Sequence, residues 1–121
     1  MDADGLIASL QQAVPDAQIE RANSIDAQPT IFVAAGQLES VARALRDVPE
    51  LAFAFLAELT AVDYWPREPR YEVVYLLVSI ANRLRLRMKV RLPNDAAHLT
   101  TVSGIWPAAN GLEREGRELL G

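Results

Sequence analysis

The tightest constraint on this chain is one stretch, Arg83-Leu84-Arg85-Leu86-Arg87-Met88-Lys89-Val90-Arg91-Leu92, in which cation and apolar residue alternate without a break. Successive side chains of an extended strand point to opposite faces, so a β-strand collects Leu84, Leu86, Met88, Val90 and Leu92 on one side. Wound as a helix, the same residues would spread charge around the whole circumference. The stretch reads as a half-buried strand, residues 83–92, with Arg83, Arg85, Arg87, Lys89 and Arg91 on its other face. Residues 71–80 before it are apolar on both faces apart from Glu72 and Ser79, the pattern of a central strand. Ala81 and Asn82 are few enough to close the two into a tight hairpin. Two registers are open. A two-residue turn sets Val74, Leu76 and Val78 beside the cations. A three-residue turn sets Tyr71 and Tyr75 there, where rings and guanidiniums stack.

Upstream, Leu6, Ile7, Leu10, Ala13 and Val14 recur at helical spacing over residues 4–14, with Asp2 or Asp4 as cap and Pro15 as stop. Residues 17–23 and 29–34 are short strand candidates, and the polar stretch 23–28 turns between them. Gly36 opens a second helix over 37–47, with Leu38, Val41, Ala42, Leu45 and Val48 facing inward and Pro49 ending it. Residues 51–56 are expected as a short helix that runs into a strand at 59–64. Trp65-Pro66-Arg67-Glu68-Pro69 is a loop stiffened by two prolines.

Pro93-Asn94-Asp95 closes the cationic strand, residues 96–105 are an irregular lead-in, and a last short helix follows. Asn110 stands three residues before Glu113, at capping-box spacing. Glu113 and Arg117, and Arg114 and Glu118, are four apart and meet on the helix surface. Gly121 falls where a helix would stop. Gly111 and Gly116 each cost about 1 kcal/mol against alanine, so this helix needs something to dock on. The fold class is α/β (α+β): a single domain over 1–121, with a mixed sheet of about four to five strands and helices packed against it.

The 121 residues suffice for one real core. Without cysteine the chain offers no disulfide, no thiolate zinc site and no ligand for an iron–sulfur cluster. The formal charge of −4 argues against nucleic acid as partner. No apolar run approaches the roughly 18 residues of a membrane span, and the acidic start lacks the basic region of a signal peptide, so a cytoplasmic chain without membrane insertion is expected. His98, the single histidine, reads as a loop residue rather than a ligand. Glu113 and Glu115 lie two apart on a helix and face different directions, which suits surface ion pairs better than acid–base work. Asp63 suits a turn-forming side-chain bond. The cationic stripe has two readings of equal standing, a solvated sheet face and a docking surface for an acidic partner.

Three segments also carry a family resemblance. They are Leu59–Ile80 (LTAVDYWPREPRYEVVYLLVSI), the RLRLRMKVRLP strand, and GIWPAAN followed by EREGRELL. In this order they resemble the 30 kDa subunit (the C-type subunit) of respiratory complex I, the NADH-quinone oxidoreductase. Glu113, Arg114, Glu115, Glu118, Leu119 and Leu120 fill the places of the family's Glu-Arg-Glu signature. The family differs in having an aromatic at the position of Gly111, an apolar-aromatic pair at Gly116 and Arg117, and Asp at Glu118. It continues past the position of Gly121 into a basic, partner-wrapping tail.

The resemblance implies a non-catalytic scaffold subunit of the peripheral arm, on the cytoplasmic side of the membrane. Such a subunit packs beside the D-type subunit, which helps form the quinone site. The complex would use NADH, FMN, iron–sulfur clusters and quinone, with no cofactor on this chain. Arg85, Arg87, Lys89, Glu113, Arg114, Glu115 and Glu118 are then the candidate interface residues. Related membrane-bound hydrogenases and reductases carry similar subunits. A stand-alone small-ligand binding domain and a relative that has lost its complex are the other readings.

Overall fold

The computed structural model describes residues 2–22, 28–66, 71–92 and 101–113. Over these the chain runs through helix α1 (Ala3–Ala13), strands β1 (Ile19–Arg21) and β2 (Thr30–Val33), a 3-10 turn (Ala35–Gln37), helix α2 (Leu38–Asp47), and strands β3 (Phe55–Asp63), β4 (Tyr71–Ser79) and β5 (Leu84–Leu92). One sheet holds the strands in the order β1-β2-β5-β4-β3. The β2–β5 pairing is parallel and the other three are antiparallel, so the sheet is mixed, as expected.

Paired residues share a face of the sheet, and the register therefore decides what each face holds. Val73 pairs with Val90, Tyr75 with Met88 and Leu77 with Leu86. These side chains are buried in one cluster with Ile31 and Val33 of β2, Leu6 and Leu10 of α1, and Leu38, Val41, Ala42 and Leu45 of α2. Both helices thus cover the same face. Each such side chain contributes about 2 kcal/mol on burial, before the entropy of ordering the chain is subtracted. The caps follow the sequence. The Gly5 amide donates to Asp2 Oδ1 at 2.9 Å, and Pro15, with no N–H to donate, stands just past the last turn of α1.

The C-terminal segment closes the core. Val102, Ile105, Trp106 and Ala109 join the buried cluster. The Trp106 indole N–H donates to the Phe53 carbonyl at 2.7 Å, which fixes the segment against the loop between α2 and β3. Gln37 stitches the other end of the molecule. Its side-chain oxygen accepts from the Gln18 amide at 2.6 Å, and its side-chain nitrogen donates to the Asp16 carbonyl at 2.6 Å.

Five expectations are corrected. Residues 51–56 do not form a helix. Ala52 turns with φ of 47°, the Phe53 amide donates back to the Leu45 carbonyl at 2.8 Å, and the chain enters β3 at Phe55. β3 also begins earlier than residue 59; a bulge between Leu56 and Glu58 breaks its alternation and hides its start. The β4–β5 turn spans four residues, Ile80 to Arg83, not two. Arg83 sits in it at φ 55°, so the strand face carries four cations rather than five. Asn110 lies inside the helical stretch 109–113 and cannot cap it, and Glu113 accepts instead from the Thr101 hydroxyl at 2.7 Å. Shorter than expected as well, β1 keeps only three residues. His98, Gly116, Arg117 and Gly121 lie outside the described residues.

Two outcomes test this packing. Trp106→Phe leaves the Phe53 carbonyl without its donor, and a denaturant melt should show a loss of about 2 kcal/mol. A Cβ at Gly111 meets nothing within 4 Å. Gly111→Ala should therefore stabilise the chain by up to about 1 kcal/mol in the same measurement.

Candidate functional site

The second face of the sheet has no helix on it among the described residues. Its makeup can be read rung by rung. Phe55, Val78 and Arg85 stand abreast across β3, β4 and β5. The next rung carries Glu58, Leu76 and Arg87, with Thr30 of β2 beyond. Thr60, Val74, Lys89 and Phe32 follow, with Glu20 at the β1 edge, and then Val62, Glu72 and Arg91. The register is the one that sets Val74, Leu76 and Val78 beside the cations. Tyr75, the alternative neighbour, is buried on the core face, where desolvation first and the Glu113 charge second push its hydroxyl well above the ordinary tyrosine range.

The cations of this face are not equivalent. Lys89 Nζ lies 3.5 Å from Glu72 Oε1, and the Tyr64 hydroxyl donates to the same carboxylate oxygen at 3.3 Å. Glu72 is only 7% exposed, so this is a partly buried ion pair rather than a solvent-screened one. The Arg91 guanidinium stacks on the Phe32 ring at 3.6 Å from its centre, and Lys89 lies 5.8 Å from the same ring. Arg87 reaches the Gln28 side-chain oxygen at 3.5 Å. Arg85 is exposed and has no partner among the described residues. An open groove of about 350 Å³ crosses the face, floored by Val74 and Leu76 and walled by Glu58, Thr60 and Val62 on one side and Arg87 and Lys89 on the other.

Of the other candidate interface residues, Glu113 is half-buried in the last helix, on the core side of the sheet, away from the cationic face. Arg114, Glu115 and Glu118 lie outside the described residues. Asp63 holds a turn, accepting from the Trp65 amide at 3.0 Å, as expected. No three acidic or histidine side chains among the described residues gather as metal ligands. No described helix is long and apolar enough to cross a membrane. Sequence reasoning missed three residues of this face: Phe32, whose ring lies under Arg91; Tyr64, whose hydroxyl reaches back to Glu72; and Phe55, hidden by the bulge. The lone acidic residue in the apolar run 71–80 was the one available signal, since a buried carboxylate requires a partner.

The family described as the 30 kDa subunit of the respiratory-chain NADH dehydrogenase matches residues 31–121. The chain belongs to this family. Its similarity to the C-type subunit of the NADH-quinone oxidoreductase of Roseiflexus sp. (strain RS-1) is 40% identity over 121 residues, all of this chain and 69% of that protein. The corresponding subunit of Moorella thermoacetica is 36% identical over 98% of this chain and 76% of its own length. Among solved structures, the trypsin-resistant fragment of Nqo5 superposes with a TM-score of 0.70 at 27% identity, covering 98% of this chain and 92% of that one. A chain of the membrane-bound sulfane sulfur reductase, an archaeal respiratory membrane complex, gives 0.73 at 26% identity over 93% of this chain and 64% of its own. The family resemblance carried by residues 59–121 thus holds, and the relatedness extends through the N-terminal half, where the sequence signal was element order alone.

The Glu72–Lys89 pair yields a test. Lys89→Met leaves a buried carboxylate with only the Tyr64 hydroxyl and should cost about 2 kcal/mol in a thermal or denaturant melt. Replacing both, with Glu72→Leu and Lys89→Met, should recover most of that loss, because no buried charge is then left uncompensated.

Proposed function

We propose that this chain is a non-catalytic scaffold subunit of the peripheral arm of an NADH-quinone oxidoreductase, and that its partner there is the D-type, quinone-site subunit. Its likeness, across the whole of this chain and some seven-tenths of theirs, to the 30 kDa subunits of such enzymes is the observation that carries the reading. On this reading the complex passes electrons from NADH to quinone and couples this to proton translocation, and it sits on the cytoplasmic side of the membrane. The NADH, FMN, iron–sulfur and quinone sites belong to other subunits. The absence of cysteine from these 121 residues fits that division, since thiolates hold such clusters. The cationic rungs Arg85, Arg87 and Lys89 form one contact surface, and the C-terminal signature residues Glu113, Arg114, Glu115 and Glu118 contribute another.

A second host is favoured by one observation. The likeness to the sulfane sulfur reductase chain is as good in shape as that to Nqo5. On that reading the scaffold role is the same and the electron donor differs. The genes beside this one separate the two, because each complex requires its own electron-input subunits.

Co-expression with the quinone-site subunit from the same organism tests the main reading. The two chains should co-elute at low salt. Raising ionic strength from 0.1 to 1 M shortens the screening length from about 10 Å to about 3 Å and should weaken the complex measurably. Failure to co-elute at low salt would overturn the assignment of that subunit as partner.

A further inference from the structure

The open face is uneven, and its unevenness points to one end. Lys89 is tied to Glu72, Arg91 is stacked on Phe32, and Arg87 reaches Gln28. Toward the β4–β5 turn the situation reverses. Arg83 and Arg85 are exposed and have no partner among the described residues. Beside them stand two large apolar side chains that folding leaves in water, Phe55 at 54% and Ile80 at 78% exposure. Phe55, Val78 and Arg85 share one rung, and Ile80 opens the turn directly after β4.

This end is also held rigid. The Asn82 side-chain amide donates to the carbonyls of Pro49 at 2.9 Å and Leu51 at 3.1 Å, and the Asn82 backbone amide donates to Ser79 Oγ at 3.3 Å. The turn is thereby clamped to the loop that leads into Phe55. A surface fixed before binding loses little freedom when a partner arrives.

We propose that the hairpin end of the open face, formed by Phe55, Val78, Ile80 and Arg85, is the anchoring point for the neighbouring subunit. Its occupant is a segment of that subunit presenting an apolar side chain flanked by carboxylates. The apolar trio supplies a dry contact of the kind that carries most interface energy, and Arg85, on the same rung, supplies its cationic rim. The charge pattern selects an acidic complement. The chain as a whole carries a formal charge of −4, so a local patch of arginines unpaired among the described residues favours an acidic segment of another subunit over a second copy of this chain. The inference rests on the scaffold reading above and deepens it by naming the residues and the chemistry of the contact.

The experiment uses the full chain co-expressed with the quinone-site subunit. Arg85→Glu and the double variant Phe55→Ser with Ile80→Ser are compared with wild type, and with Arg91→Gln at the far end of the face. Affinity and thermal melting are measured for each. Arg85→Glu and the double variant should each weaken the complex by about tenfold or more, while Arg91→Gln leaves it within a few-fold. If the double variant melts early, Arg85→Glu decides alone, since an exposed, unpaired arginine contributes little to folding. A wild type that co-elutes, together with hairpin variants that bind equally well, overturns this inference and leaves the scaffold assignment standing. A wild type that does not co-elute overturns both. Self-association of the chain alone, abolished by the double variant, would also overturn it, because the occupant would then be a second copy.

Discussion

The structure depends on the pairing of β4 with β5 in a single register. Each strand has nine residues, and their rungs run unbroken from Tyr71–Leu92 to Ser79–Leu84. A slip of one residue would carry Val73, Tyr75 and Leu77 from the helix-covered face to the open one and bring Val74, Leu76 and Val78 into the core. Leu86, Met88 and Val90 would stay in the core after such a slip, but Tyr75 and Leu77, now 1% and 0% exposed, would move to the open face beside the cations and lose their burial under the helices. Everything outward follows from this pair. β2 adds in parallel to the far side of β5, β3 adds to β4, and both helices and the C-terminal segment settle on the one face that is apolar throughout.

The same register gives the open face its character. A sheet whose outer side carried only cations would need nothing beyond water. Here the central strand contributes Val74, Leu76 and Val78 to that side, and the cations of β5 partly cover them with their stems. Internal partners then withdraw some of those cations. Glu72 is the pivot of this arrangement, since a buried carboxylate cannot remain alone. It holds Lys89, while Phe32 holds Arg91. What remains for another molecule is concentrated near the hairpin turn, where nothing in the described fold neutralises Arg85 or shields Phe55.

The C-terminal segment illustrates how a weak helix is held. Its residues gain little from helix propensity, with a glycine at position 111 and Asn110 inside the first turn rather than capping it. Its hold on the domain comes from Trp106, which is buried and bonded to the Phe53 carbonyl, and from Val102, Ile105 and Ala109 in the core. Most of the docking thus precedes the helix in sequence, with Ala109 of its first turn joining it. In sequence, the family's signature residues follow directly on this anchor.

The sequence by itself determined the strand class of β5, the two amphipathic helices and their stops, the mixed α+β architecture and the family. These are local or periodic signals: unbroken alternation, helical spacing closed by Pro15 and Pro49, and short motifs in a fixed order. The side chain of Asp63 as a turn former was legible for the same reason, since its partner is only two residues away. Tertiary structure decided the rest. The hairpin register was open because it depends on which strand faces the helices can cover. The extent of β3 was hidden because a bulge destroys the period on which the eye relies. The partners of Lys89, Arg91 and Trp106 lie at Glu72, Phe32 and Phe53, seventeen to fifty-nine positions away in sequence, and no pattern within a strand can announce them. Which of five cations on one stripe is free to meet another protein is a question about neighbours in space, and only the assembled sheet supplies those neighbours.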